Sequence, residues 1–309
     1  MRLKRLHCVL LVFASAALVH GNEVEDYRIA IRTALDEWRR ASHNVQLDCV
    51  TELYNVEYDQ EVTQRKIVDL ATYDCKLLRI DNSYRSTIAW TINNSGPPRL
   101  LQTVQCHRNA KAGVVRLHST DTQTPGEQFG VIRLEEDGFT KVNRANFWFD
   151  GSYLGAEEFF VTYLLSQLDR AKIEVRDGGM VLVTDISERS GVTCECKWVL
   201  SEQWGFLPSK FLRHLSKDQE AFFHDRTLEV NEMIRVDEVW FPKKFTEWEY
   251  NNTSAKAGYV NMYDSTVSNV EFGSLKQQDL ELVFPRGTIV HDQIIGAWRG
   301  LPIGMKALD

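Results

Sequence analysis

Two stretches of the chain have a helical period, and most of the rest alternates between apolar and polar positions. Val24, Tyr27, Ile31, Leu35 and Trp38 recur three or four residues apart, with Arg28, Arg32, Asp36, Glu37 and Arg40 elsewhere around the turn. That spacing predicts one amphipathic helix over Glu23–Ala41. A second is predicted over Ala156–Arg170, where Phe159, Phe160, Tyr163, Leu164 and Leu168 give a wider apolar face. A helix apolar over that much of its circumference is covered on more than one side. Elsewhere Val45, Leu47, Cys49 and Thr51 alternate with Gln46, Asp48 and Glu52. Similar alternation predicts strands at Leu77–Ile80, Thr87–Ile92, Leu100–Cys106, Val114–His118, Gly130–Glu135 and Met180–Ile186. More follow at Thr193–Leu200, Thr227–Val236, Glu238–Tyr250, Val267–Phe272 and Leu280–Phe284.

The connections between these strands are short, and turn clusters such as Asn93-Asn94-Ser95-Gly96-Pro97-Pro98 punctuate them. Parallel neighbours would each need a helical crossover, and only one mid-chain helix is on offer. The expected class is therefore α+β, one large antiparallel sheet with helices against one face. No composition shift divides the chain, so residues 22–309 are expected to form a single domain. One weak internal echo stands out. Phe206-Leu207-Pro208-Ser209-Lys210-Phe211 matches Trp240-Phe241-Pro242-Lys243-Lys244-Phe245 as aromatic, apolar, Pro, any, Lys, Phe. Proline cannot donate to a ladder, so each copy is expected to enter a strand at an edge or a bulge.

Ahead of this pattern, residues 1–21 have the form of a secretory signal peptide. Arg2, Lys4 and Arg5 precede the apolar run Cys8–Val19, and Val19-His20-Gly21 supplies a cleavage site before Asn22. The run falls short of the ~20 residues a spanning helix needs, and no later stretch approaches that length. The expected location is thus the periplasm or the exterior. With 36 basic and 43 acidic residues the formal charge is −7, and losing the leader makes it more acidic still. Such a chain is a poor match for nucleic acid, which proteins engage through clustered Lys and Arg.

Candidate chemistry is sparse. None of the eight histidines sits in a helical zinc-protease spacing, and no nucleophile elbow, phosphate loop or dinucleotide fingerprint is present. Cys194 and Cys196 share a strand face with Trp198, but no second pair or adjacent His completes four ligands, so neither a metal centre nor a cofactor is expected. Six cysteines become five without Cys8, and Cys49, Cys75, Cys106, Cys194 and Cys196 all lie among apolar residues. They are read as small buried hydrophobes, with a Cys49–Cys75 contact across neighbouring strands as the alternative. Carboxylate pairs such as Glu157-Glu158 are ordinary in so acidic a chain. No enzymatic activity is expected, and a carboxylate-based hydrolase is the least favoured reading.

The aromatic residues say more. On the strand ending at Tyr250, Trp240, Trp248 and Tyr250 share one face and Phe241 and Phe245 the other. These rings either build the core or line an apolar cavity between sheet and helices. Trp198, Trp240, Trp248, Tyr250, Phe159, Tyr163, Leu282 and Phe284 are the candidates for lining it.

The exported start, the amphipathic helix and the run of strands lead to two proline-bearing segments. These are Val239-Trp240-Phe241-Pro242-Lys243-Lys244-Phe245 and Leu282-Val283-Phe284-Pro285-Arg286-Gly287-Thr288. Together they resemble exported proteins of planctomycete-type bacteria related to the outer-membrane lipoprotein-sorting and carrier family (LolA/LolB-like). The resemblance implies a curved, unclosed barrel wrapped over the N-terminal and mid-chain helices. It also implies a cavity that takes a lipid or the acyl chains of a lipidated protein. The competing reading is an envelope module that meets another protein with its sheet face.

Overall fold

The structure is a computed structural model, and it describes residues 20–57, 66–81, 83–92, 100–108, 113–121, 128–133, 161–189, 191–217, 223–250, 259–285, 287–294 and 296–300. The chain opens with helix α1 (His20–Ala41). Six strands follow: β1 (Asn44–Glu57), β2 (Lys66–Ile80), β3 (Ser83–Ile92), β4 (Leu100–Arg108), β5 (Gly113–Asp121) and β6 (Gln128–Arg133). After helix α2 (Val161–Gln167) come β7 (Lys172–Arg176), β8 (Met180–Arg189), β9 (Val192–Ser201) and β10 (Leu207–Lys217). The long strands β11 (Phe223–Val236), β12 (Val239–Tyr250) and β13 (Tyr259–Phe272) precede the short β14 (Ile289–Asp292) and β15 (Ala297–Gly300).

The fifteen strands of the described residues join one sheet, in the order β15-β14-β6-β5-β4-β3-β2-β1-β13-β12-β11-β10-β9-β8-β7. Every adjacent pair is antiparallel except β14 with β6. β7 and β15 are its two edges, so the barrel is unclosed. This is the expected α+β class, a large antiparallel sheet wrapped over an N-terminal and a mid-chain helix. Two meanders, β1 to β6 and β7 to β13, meet where β1 pairs with β13.

The period-two pattern is spent as expected. Leu47, Cys49, Trp198, Leu200, Phe211, Phe241 and Phe245 turn inward and are buried with Ile31, Leu35 and Trp38 of α1 and Val161, Leu164 and Leu165 of α2. Trp38 fixes the end of α1 to the sheet, donating from Nε1 to the Trp240 backbone oxygen at 2.8 Å. Near the other end, the phenol of Tyr27 lies edge-on to Phe206, with ring centroids 6.4 Å apart. Burial and the neighbouring Glu202 carboxylate push that phenol up to about 12.

Both copies of the proline echo sit at bulges. The β9–β10 register shifts between Pro208 and Lys210, and β11 opposes Glu232 to Lys244 and Met233 to Pro242. In each case the residue after proline, Ser209 or Lys243, is the extra one. Leu207, Phe211, Phe241 and Phe245 are buried on either side of the two bulges.

Some expectations differ from what is observed. Leu280–Phe284 is not a strand: a short turn over Gln277–Leu280 leads into extended backbone outside the sheet. Leu282 and Phe284 are nevertheless buried and Val283 exposed, so the alternation is real but serves side-chain packing in place of a ladder. Strands β7, β14 and β15 are additional to those expected, and the strand expected at the Pro208 segment runs on as β10 to Lys217. The expected leader through Val19 and the helical residues 156–160 lie outside the described residues.

Candidate ligand-binding face

Register across the sheet sorts the inward side chains into rows. One row runs Val183, Trp198, Phe211, Leu228, Glu247, Tyr263, each opposite the next on adjacent strands. It begins as hydrocarbon and ends in a carboxylate and a phenol. Trp198 is 0% exposed, with ring centroids 5.5 Å from Phe211 and 6.1 Å from Tyr163, which α2 lowers onto it. Glu247, at 1% exposure, is held by Arg226 of the neighbouring row at 3.7 Å. Arg226 also donates to Glu249 Oε1 at 2.7 Å, and the Tyr263 hydroxyl donates to Glu249 Oε2 at 3.3 Å. A buried carboxylate keeps its charge only where such partners replace water.

A second row runs Phe245, Ser265, Thr51, Tyr73, Trp90. Its middle is polar, with Thr51 and Ser265 sharing a hydrogen bond of 2.9 Å. Its far end is a pair of half-buried rings, Tyr73 and Trp90, stacked at 6.4 Å with planes 13° apart. α1 meets the sheet at β7 and β12, on the opposite side of the β1–β13 seam from these rings.

The residues singled out in the sequence separate into three places. Trp198 and Tyr163 touch, in the centre of the inner face. Trp240 and Trp248 alternate to the other side of β12 from Phe241 and Phe245. There Trp240 lies under the Arg235 guanidinium at 5.9 Å, a cation–π contact on a partly exposed ring. Leu282 and Phe284 form a separate small core with Ile132 and Val290. Phe159 lies outside the described residues, as do the side chains of Tyr250 and Cys106. Tyr73, Trp90, Arg226 and Glu247 were not singled out. The available signal was Glu247 two residues after Phe245, and Arg226 two before Leu228, which puts charge on strand faces that are otherwise apolar.

Two thiols and a depression lie where β1 bulges between Asp48 and Cys49. A shallow hollow of about 260 Å³ opens there, bordered by Asp48, Cys49, Asp74, Cys75, Lys76 and Ser268. Cys49 and Cys75 are directly opposite across β1 and β2, as the sequence allowed. Burial pushes the Cys49 thiol up to about 12, against hydrogen bonds with Thr51 and Ser265 that pull it down, so it stays protonated and inert. On the outer face a hydrogen bond to Glu52, helped by partial burial, raises the Tyr54 phenol to about 12. Among the described residues no three His, Cys, Asp or Glu side chains converge as metal ligands, and no helix is long and apolar enough to cross a membrane.

No protein-family model matches the chain, and no curated protein does. Among solved structures it is similar to a DUF1329 family protein from Desulfovibrio piger, at 10% sequence identity over 83% of this chain and 96% of that one, with a TM-score of 0.46. It is also similar to a LolA superfamily protein from Nitrosomonas europaea, at 13% identity over 81% of this chain and 96% of that one, with a TM-score of 0.40.

Proposed function

We propose that the chain is an exported, non-enzymatic protein that holds a hydrophobic ligand between the inner face of its sheet and its helices. The ligand is a lipid or the acyl chains of a lipidated protein. On this reading residues 1–21 are removed as a leader, residues 22–309 act as one domain, and the working compartment is the periplasm or the exterior.

The observation that carries the reading is the Tyr73–Trp90 stack. Two large rings, parallel to each other and half-buried, stand on the inward side of the sheet, in register with Phe245 and across the seam from α1. Such a ring pair offers an alkyl chain contact area at little entropic cost, because each ring has only two side-chain torsions. The neighbouring band of Arg226, Glu247, Glu249 and Tyr263 gives the same face a fixed polar end, suited to orienting an ester or a headgroup. Trp198 and Tyr163 form the closed floor beside it.

The test is native mass spectrometry of the chain purified from an exporting host, with co-bound lipid extracted and identified. The expected result is stoichiometric lipid that disappears in Trp90→Asp while the circular dichroism spectrum is unchanged, and persists in Trp248→Asp on the other face. Lipid lost only from Trp248→Asp moves the contact to the outer face and favours the protein-interaction reading. A chain that carries no lipid and takes up no fatty acid or apolar dye overturns the proposal.

A further inference from the structure

The outer face of the sheet, turned away from α1 and α2, has a pattern of its own. Register sets Leu212, Thr227, Trp248, Met262 and Tyr54 side by side there, one on each of the adjacent strands β10, β11, β12, β13 and β1. Leu212, Trp248, Met262 and Tyr54 are half-buried and Thr227 is buried. With strands about 4.8 Å apart, this is a continuous apolar stripe about 19 Å long.

Beside the stripe the face turns acidic. Among the described residues, the charged side chains that β13, β1 and β2 present outward are Asp264, Glu271, Asp48, Glu52 and Asp74, with Lys76 as the one cation. Glu52 and Asp264 are directly opposite each other. Like charges so placed destabilise a sheet, and such broken local rules concentrate at functional sites. Both carboxylates are held in place: Tyr54 donates to Glu52 Oε2 and Thr246 donates to Asp264 Oδ1, each at 2.6 Å. Each keeps acceptor capacity for a cation arriving from outside. The Tyr54 phenol registers this field, since the charges of Glu52 and Asp264 add to the hydrogen bond and the burial that raise it.

Val50 lies four residues back along β1, about 13 Å from Tyr54, and there the hollow of about 260 Å³ opens. It forms where β1 bulges after Asp48 and where the small residue Ala89 is opposite Asp74. Val50 and Ala89 give it an apolar wall, and Asp48 and Asp74 outnumber Lys76 at its rim. Such a hollow fits a Lys or Arg side chain, with a hydrocarbon stem against the wall and a charged head at the rim. A helix of about nine residues covers the ~13 Å between stripe and hollow. The excess of 43 acidic over 36 basic residues in the chain steers a basic partner toward this face.

We propose that the outer face, from the Trp248–Met262–Tyr54 stripe to the hollow at Asp74, docks a basic amphipathic helix of a partner protein. The apolar side of that helix lies on the stripe, its cations meet Glu52 and Asp264, and one Lys or Arg side chain enters the hollow. This surface is on the opposite side of the sheet from the Tyr73–Trp90 stack, so the proposal stands apart from the lipid reading.

The experiment measures fluorescence anisotropy of a labelled amphipathic helical peptide built of Leu and Lys, titrated with the full chain, beside a Leu–Glu counterpart. The Leu–Lys peptide is expected to saturate at one per chain and to weaken as salt rises, and the Leu–Glu peptide not to bind. Affinity is expected to fall about tenfold or more in Asp74→Lys and in Met262→Asp. It is expected to be unchanged in Glu37→Lys, which makes the same charge change on the exposed side of α1. Because Met262→Asp can perturb folding, a second measurement couples the peptide to the unaltered chain with a carbodiimide. Links are expected at Asp48, Glu52, Asp74 or Asp264, read by peptide mass spectrometry. Affinity unchanged in Asp74→Lys, an equal loss in Glu37→Lys, or links spread over carboxylates of other faces each overturns the proposal. Binding to phosphatidylcholine vesicles that Met262→Asp abolishes, with no peptide binding, overturns it in favour of a membrane contact.

Discussion

At Gly130 a missing side chain decides the packing. A Cβ there would lie 2.6 Å from a ring carbon of Phe284 and 2.8 Å from a Val290 methyl. Phe284 therefore closes the small core over β6 because nothing projects from Gly130. Gly130→Ala is expected to cost about 1–3 kcal/mol through forced displacement of that ring, read as a lowered urea midpoint with an unchanged slope. Glu195 gives a prediction in pH. Partial burial works against its charge, but hydrogen bonds from Lys197 and His214 outweigh it and hold the carboxyl below its usual range. A depressed carboxylate contributes stability above its unfolded value, about 4.3, and loses it as pH falls through the lower folded value. The stabilisation that wild type has over Glu195→Gln, read as the gap in urea midpoint, is thus expected to be present at about pH 5 and to shrink below about pH 4. Single residues were also where the sequence was least legible. Alternation alone sets Trp240 and Trp248 on the face away from Phe241 and Phe245, but only the burial of the two phenylalanines with Ile31 and Leu35 shows which of the two faces is inward. Tyr73 and Trp90, on neighbouring strands, become a stack only through a register that no local pattern encodes.

Elements were easier to read because their periods are local. The α1 stripe of Ile31, Leu35 and Trp38 is buried as its spacing predicts. Both proline segments sit at bulges because a missing N–H excludes them from a regular ladder. Only the proline-bearing start of β10 was legible, for a physical reason. Its inward positions include Arg213, and the extra residue Ser209 resets the alternation, so the strand has no clean period two. β7, β14 and β15 are too short to show a period at all. The reverse happened at Leu282–Phe284, where alternation without a partner strand imitates a ladder. One hydrogen bond joins helix to sheet across 202 residues, Trp38 Nε1–H to the Trp240 oxygen. Trp38→Phe keeps an aromatic ring in place, but removes the donor and part of the buried ring system. It is expected to cost about 1 kcal/mol and to speed hydrogen exchange in the last turns of α1, measured by mass spectrometry.

For the whole molecule, an unclosed sheet means two edge rows of backbone N–H and C=O groups with no strand partner among the described residues. β7 guards one edge by brevity and charge. Lys172, Glu174 and Arg176 are linked by ion pairs along it, with Ile173 turned inward between them. Replacing all three charged residues by Thr is expected to turn this edge into a template for a second copy. Sedimentation velocity would show self-association beyond that of the unaltered chain. The other conspicuous feature at this scale is the seam. Strand β1 belongs beside β13, Val45 opposite Phe272 and Glu57 opposite Tyr259, although about two hundred residues separate them. At the 5–20 residues per second of synthesis, roughly ten to forty seconds pass before β1 can meet its second neighbour. During that interval β2 can cover one flank of β1 and nothing covers the other. The order of the sheet thus writes a waiting time into the birth of the protein, and the first meander must stay soluble with an open flank until the second arrives.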